Sequence, residues 1–397
     1  MHFDYLMGGK EMEDLISARS KKIKRSEIFE MMALASKYDN VVNFGVGEPH
    51  FDTPESIIDY SFNETRKGYT HYTVNAGDLK LREAISKKLL RDNGIKADPD
   101  KEIIVTMGGI EALLLLWLAT VNPGDEVIIQ DPSWINFNSQ ILLTGGTPVK
   151  VPVKEENDFA LKASDIEERI TDKTKLVLIN SPSNPTGGVT DKEELIKIGK
   201  LALEHDFILV SDETYEKIFY EGEHYSLASR EELRDHVISI FSFSKTYAMT
   251  GWRVGFAAGP EKIIKEMIKI HDSVGLCASS ISQSAAMAAL DVEKEVEEMV
   301  KDYRENRDII VEGLNSIAGI SCIYPAGTFY AFANIKELGK KSLELSRDIL
   351  DKVQVVTIDG RSFGEAGEGY LRFTFATSKE NIKEGIARLD NYVKKYL

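Results

Sequence analysis

Residues 237–256 read VISIFSFSKTYAMTGWRVGF, and the fold follows from what the apolar start of this stretch is doing beside a lysine. Val237 to Phe241 is a β-branched and aromatic run of strand length, apolar on both faces, as in a parallel sheet covered by helices. Four runs of the same kind stand upstream: EIIVTMG (102–108), DEVIIQD (125–131), KLVLINS (175–181) and FILVSDE (207–213). Helical patterns such as IEALLLLWLA (110–119) and KEELIKIGKLALEH (192–205) lie between several of them. This alternation is that of βαβ units, so an α/β fold with a mostly parallel sheet is expected. Each run ends in polar residues, and ligands of such sheets bind beyond the carboxyl ends of the strands.

The chain of 397 residues is longer than one hydrophobic core usually supports, and 43% hydrophobic residues suffice for two. From Asp291 the composition shifts to DVEKEVEEMVKDYRENRDIIVEGL (291–314), a charged pattern with apolar residues at helical spacing. A boundary is expected there. Residues 46–290 are read as the large domain, and residues 1–45 and 291–397, each too small to stand alone, as a smaller α+β domain. A formal charge of −15 and a pI near 5.1 oppose nucleic acid and anionic lipid. A small-molecule partner is expected instead. Cys277 and Cys322 are the two cysteines, which excludes a disulfide scaffold or a Cys-rich metal site and fits a reducing compartment. Both read as buried packing residues, and no metal is expected. The opening MHFDYLMGGKEMEDL lacks the pattern of a secretory signal, and the longest apolar run, ALLLLWLATV (112–121), is too short for a bilayer. The expected location is the cytoplasm.

Lys245 follows its strand directly, at the ligand end of the sheet. A lysine alone is most often a solvated charge. Ser242, Ser244 and Arg253 change that reading, because two hydroxyls and a planar guanidinium suit a bound phosphate. In FILVSDETY (207–215) another strand delivers Asp212 and Tyr215 to the same end; Asp212 reads either as a helix N-cap or as the partner of a protonated ring nitrogen. NSPSNPTGG (180–188) is a turn in which Asn184 could donate to a ring oxygen, with Pro185 holding it through a cis peptide. Gly108 and Gly109 open a helix whose N–H groups could bind phosphate. Trp134, three residues past Asp131, is either a core residue or a stacking platform for a flat ring.

Taken together, these residues are recognisable. The chain resembles the fold-type I pyridoxal-5'-phosphate enzymes and, within them, the class I and II aminotransferases of the aspartate and aromatic group. The match runs nearly end to end, in order: NFGVGEPHFDTPE (43–55), YTVNAGDLKLREAI (72–85), GGIEAL (108–113), NPTGG, DETY, SFSKTYAMTGWRVGF (242–256) and YLRFTFA (370–376). The resemblance implies a seven-stranded, mostly parallel sheet and a homodimer with shared sites. It implies that Lys245 bonds pyridoxal phosphate covalently and later shuttles a proton, that Asp212 pairs the pyridinium nitrogen, and that Asn184 and Tyr215 bind the ring oxygen. Trp134 would stack on the ring. Ser242, Ser244 and Arg253, with the backbone at Gly108, Gly109 and Ile110, would hold the phosphate, helped by Tyr72 of the neighbouring subunit. Arg372 would grip the substrate carboxylate beside Asn184 and the Gly47 backbone.

The sequence departs from the family at informative places. Many prokaryotic aspartate-specific members carry a lysine just after the paired glycines, where Ile110 stands here. Between His271 and Asp291, where a partner's arginine would be sought, there is no Lys or Arg. Neutral or aromatic donors are therefore expected, with an acceptor such as 2-oxoglutarate and aspartate still possible. His50 stands where Asp is usual and reads as a polar loop residue or a group titrating near neutrality. Asp359 stands where Pro is usual, with no account from sequence. The rival enzyme reading is a β-eliminating C–S lyase, which shares the lysine, aspartate, asparagine and both arginines. A transcription regulator's effector domain would need an N-terminal winged helix, for which the sequence leaves no room before the motifs begin.

Overall fold

The computed structural model describes residues 15–23 and 27–397. The reading of the opening residues as lacking a signal falls mostly on 1–14, outside the described residues. The strands are β1 (Val42–Asn43), β2 (Ile103–Thr106), β3 (Glu126–Asp131), β4 (Thr147–Pro152), β5 (Thr174–Asn180), β6 (Ile208–Asp212), β7 (Val237–Ser242), β8 (Gly255–Ala258), β9 (Tyr330–Asn334), β10 (Val355–Val356), β11 (Ile358–Asp359) and β12 (Tyr370–Thr374). Seven of them form one sheet in the order β2-β8-β7-β6-β5-β3-β4. All its ladders are parallel except the two made by β8.

The central strands are apolar on both faces because both faces are covered. Val177 and Ile179 of β5 enter one core with Ile198 and Leu195, and Leu176 and Leu178 enter another with Leu113, Leu116 and Trp117. Each fully buried Leu or Ile contributes roughly 1.5–3 kcal/mol. The helix Gly109–Thr120 is apolar almost all round and lies inside the second core, as its sequence IEALLLLWLA requires.

The direction of β8 decides where the chemistry gathers. Strands β2, β3, β5, β6 and β7 end on one edge, at Thr106, Asp131, Asn180, Asp212 and Ser242. Because β8 runs against them, it starts at that edge, with Gly255 opposite both Thr106 and Ser242. The connection between Ser242 and Gly255 therefore leaves and re-enters the same edge, which is why Lys245 and Arg253 are neighbours.

The remaining strands make two small ladders. β12 is central between β11 and β9, with Arg372 opposite both Ile358 and Phe332. β1 pairs in parallel with β10, so a segment before residue 45 and one near the C-terminus share a ladder. The charged pattern after Asp291 is one helix, Glu293–Asn315, packed on the helix Lys379–Tyr396. Cys322 is buried, as expected, but Cys277 is only half-buried, in the turn after the helix Glu261–Val274. Among the described residues, no helix is long and apolar enough to cross a membrane.

Candidate active site

A cavity of about 250 Å³ opens at the carboxyl edge of the large sheet. Gly47, Gly109, Ile110, Trp134, Asn184, Asp212, Tyr215, Ser242, Ser244, Lys245, Arg253 and Arg372 line it, joined by residues the sequence had not singled out: Ile28, Leu113, Phe137, Asn180, Thr214, Thr250 and Tyr330. Tyr72 is apart from this group, 84% exposed on the loop before the helix Leu79–Lys88.

Lys245 lies in the helical turn Phe243–Thr246, capped by Ser242, whose Oγ accepts from the Ser244 N–H at 3.2 Å. Its Nζ donates to the Gly47 carbonyl at 2.7 Å. Burial pushes its pKa down to about 8; Arg253 and Arg372 push the same way, while Glu48 opposes them. An amine so depressed is partly neutral near physiological pH and able to attack a carbonyl.

One end of the cavity is built for an anion. Gly108 is the N-cap of the helix Gly109–Thr120, with a φ of 78° that favours glycine, and a Cβ there would come within 2.8 Å of Arg253 Nη2. The first N–H groups of that helix have no intrahelical acceptor. Arg253 donates through Nη1 to Thr250 O at 3.1 Å and Ser244 Oγ at 3.4 Å. Behind the cup, Glu111 accepts from the Met107 N–H at 2.6 Å and faces His271 Nε2 at 3.3 Å, which holds the glycine turn in place.

The other end holds a buried cation. Arg372 is 2% exposed and donates to Asn184 Oδ1 at 3.1 Å and to Gly45 O at 2.6 Å. Its guanidinium lies between two rings, 4.5 Å from the centroid of Tyr330 and 4.8 Å from that of Phe363. Among the described residues no carboxylate reaches it, and its buried Nε has no partner. A buried charge without a counterion is costly unless an anion is meant to meet it. The expected site puts the Gly47 backbone beside Arg372; the Gly47 carbonyl accepts from Lys245, and the carbonyl of Gly45, two residues earlier in the same extended segment, accepts from Arg372. Gly47 is nevertheless obligatory, because a Cβ there would collide with the Tyr330 hydroxyl.

Between the two ends stands Asp212, buried, with Oδ1 accepting from the Thr214 N–H at 3.1 Å. Burial raises its pKa to about 6, partly offset by the hydrogen bonds from Thr214. Asn180, level with Asp212 in the β5–β6 ladder, accepts from the Asn184 N–H at 3.0 Å and fixes the turn. The peptide bond between Asn184 and Pro185 is cis. Trp134 is the N-cap residue of the helix Ile135–Thr144 and meets Phe137 edge-on at 5.3 Å.

Three further groups are explained by the structure. Asp359, where sequence offered no account, caps the turn Gly360–Phe363 by accepting from Ser362 N at 2.9 Å and Oγ at 2.6 Å. That cap places Phe363 against Arg372. His50 packs on Phe51 and Tyr303 and reaches Asp302 at 3.4 Å, so it ties the Gly47 loop to the helix Glu293–Asn315; burial lowers its pKa. Glu213, Glu216 and His224 bring three ligand atoms within 4.8 Å of one another, but Lys88 and Asn93 already donate into these carboxylates. The group is an ion-pair network that anchors β6 behind Asp212.

This donor set fits pyridoxal phosphate: a cationic cup at a glycine-led helix start, a buried carboxylate, a lysine with a depressed pKa, and a buried arginine awaiting an anion. Residues 39–389 match the family model described as aminotransferase class I and II. An aspartate aminotransferase of Pyrococcus abyssi is 41% identical over 96% of this chain and 98% of its own length. The aromatic-amino-acid aminotransferase 2 of Thermococcus litoralis is 39% identical over 96% and 98%. The crystal structure of an aromatic aminotransferase from Pyrococcus horikoshii superimposes with a TM-score of 0.88 at 40% identity, over 93% of this chain and 99% of that one.

Proposed function

We propose, from the premise that this chain belongs to the class I and II aminotransferases and is a transaminase, that its cofactor is pyridoxal 5'-phosphate and that its preferred donors are neutral or aromatic L-amino acids. The observation that carries this reading is Arg372, buried, stacked between two rings and, among the described residues, without an acid of its own.

Ser242, Ser244, Arg253 and the N–H groups at Gly108, Gly109 and Ile110 would hold the phosphate; Asp212 would hold a proton on the ring nitrogen; Asn184 and Tyr215 would face the ring oxygen, with Trp134 against the ring. When bound, the cofactor supplies an electron sink for the pair left when a bond to the amino acid's α-carbon breaks. Arg372 offers a planar fork to the α-carboxylate and so orients which bond breaks. Lys245 Nζ would take up the α-proton and return it two atoms along, across the substrate nitrogen, a span that one side chain on a short helical turn can serve. Hydrolysis by one water would release the oxo acid and leave the amino group on the bound cofactor, from which a second oxo acid such as 2-oxoglutarate would take it by the reverse steps, giving ping-pong kinetics. Residues 46–290 would form the cofactor domain and residues 1–45 with 291–397 the domain that supplies Arg372.

Tyr60, Phe62, Tyr72, Val74 and Leu276 leave large apolar side chains exposed on the helix Glu55–Arg66 and its neighbours. A second copy would cover such a surface and carry Tyr72 to the partner's phosphate, which supports a homodimer. No feature favours a C–S lyase over transamination.

Two expectations test this reading. Protein stripped of cofactor captures added pyridoxal phosphate faster as pH rises, half-maximally near 8, because only the neutral Lys245 amine attacks and its pKa is depressed to about 8. Stopped-flow absorbance measures this, and a midpoint near 10.5 contradicts it. Among the described residues, the cations lining the cavity are Lys245, Arg253 and Arg372, and Ile28, Ile110, Leu113 and Phe137 are apolar. A kcat/KM panel is therefore expected to rank phenylalanine and tyrosine above aspartate by about tenfold or more, the discrimination that apolar pocket contacts can supply. Aspartate as the best donor would overturn the preference.

A further inference from the structure

Two phenols meet beside the buried arginine. The hydroxyl of Tyr330 lies 3.0 Å from that of Tyr215, both side chains are buried, and both line the cavity. A phenol has one proton to donate and can also accept. Among the described residues neither hydroxyl has another hydrogen-bond partner in the protein. One proton therefore fills the shared bond and the other is aimed at the cavity.

The surroundings choose between them. The Tyr330 ring lies against Arg372, 4.5 Å from Cζ, so the guanidinium charge withdraws electron density from that phenol and makes it the better donor. Its oxygen is also pinned by Gly47, whose missing side chain leaves the space the hydroxyl occupies. Tyr215 follows Asp212 by three residues and stands beside the buried carboxylate.

We propose that Tyr330 is a positioning residue that donates its hydroxyl proton to Tyr215, so that the proton of Tyr215 itself is presented to the ring oxygen of the cofactor. The same ring covers Arg372, so one side chain serves both the cofactor's hydrogen-bond donor and the carboxylate grip. This inference rests on the cofactor reading above.

Tyr330→Phe and Tyr330→Leu separate the two tasks. Both are reconstituted with pyridoxal phosphate, and the visible band of the resting enzyme is titrated against pH alongside kcat and KM for an L-amino acid donor. Tyr330→Phe keeps the ring over Arg372, so KM stays within about twofold. It removes the donor to Tyr215, which then binds the ring oxygen less strongly, and the midpoint of the spectral titration rises by about half to one pH unit, the size of one neutral hydrogen bond. Tyr330→Leu shows the same shift and also raises KM about tenfold, because the face of Arg372 is uncovered. On a Tyr215→Phe background, Tyr330→Phe moves the midpoint no further. An unmoved midpoint in Tyr330→Phe, or an equal shift on both backgrounds, overturns the proposal. A wild-type protein that develops no visible band with pyridoxal phosphate overturns the cofactor reading and this proposal with it.

Discussion

Lys245→Ala is expected to lower kcat for transamination by on the order of 10⁴-fold or more while leaving the fold intact. The side chain has two tasks that no neighbour can assume: nucleophile toward the cofactor and carrier of the α-proton. Loss of a positioned general base alone costs about 10²–10⁴-fold, and loss of covalent attachment adds to it. The nearest other cations, Arg253 and Arg372, stay protonated and cannot act as bases. Structurally the change is mild, since Lys245 makes one hydrogen bond, to Gly47 O, and its burial disfavours the charge. Thermal unfolding of the variant should match or slightly exceed that of wild type, and single-turnover absorbance with a good donor should show binding without the rapid bleaching of the wild-type band. Multiple-turnover transamination by Lys245→Ala would remove the mechanism proposed for this site.

Arg372→Met should produce the second-largest loss. It removes the fork that meets the substrate's α-carboxylate, and truncating one partner of a buried charged pair costs about 2–5 kcal/mol, or roughly 30- to several thousand-fold in kcat/KM. The discriminating measurement is a ratio. Wild type should prefer phenylalanine strongly over phenylethylamine, which lacks the carboxylate, and the variant should lose most of that preference because its loss falls on the amino acid alone. Arg372→Lys should lie between the two, since it keeps the charge and loses the planar geometry. An undiminished preference in Arg372→Met would mean that another group binds the carboxylate. Stability should move little: Asn184 Oδ1 and Gly45 O each lose a donor, but the folded protein no longer carries a desolvated charge without a counterion.

Much of the site was legible because its residues follow strands. Asp212, Asn184 and Lys245 stand just past apolar runs in FILVSDETY, KLVLINSPSN and VISIFSFSK, and a parallel sheet brings such positions to one edge whatever the loop details. Asn180 carried the same signal, as the last residue of β5, and was passed over because the louder turn NSPSNPTGG follows it. β4 and β8 were not read as strands. TPVKVP carries two prolines and a lysine, as an edge strand can, and GFAA is too short to register. The omission of β8 mattered, since its reversal is what brings Arg253 back to Lys245.

Gly45, Phe363 and Tyr330 were not legible at all. GTFYAFANI reads as an ordinary core strand, and nothing local distinguishes a tyrosine that packs from one that packs and also presents a hydroxyl to a cavity. Likewise Asp359 looked anomalous in sequence and proves to be a cap that sets Phe363 against Arg372. By itself the sequence determined the α/β class, the edge where ligands bind, and the polar residues its strands deliver there, because these depend on periodicity and chain order. Only the tertiary structure decided which carbonyl serves Lys245 and which serves Arg372, and that Tyr330 joins Tyr215 to the arginine. The hydrogen bonds among them join residues more than a hundred positions apart, and the ring of Tyr330 meets Arg372 only because β9 and β12 pair as neighbours.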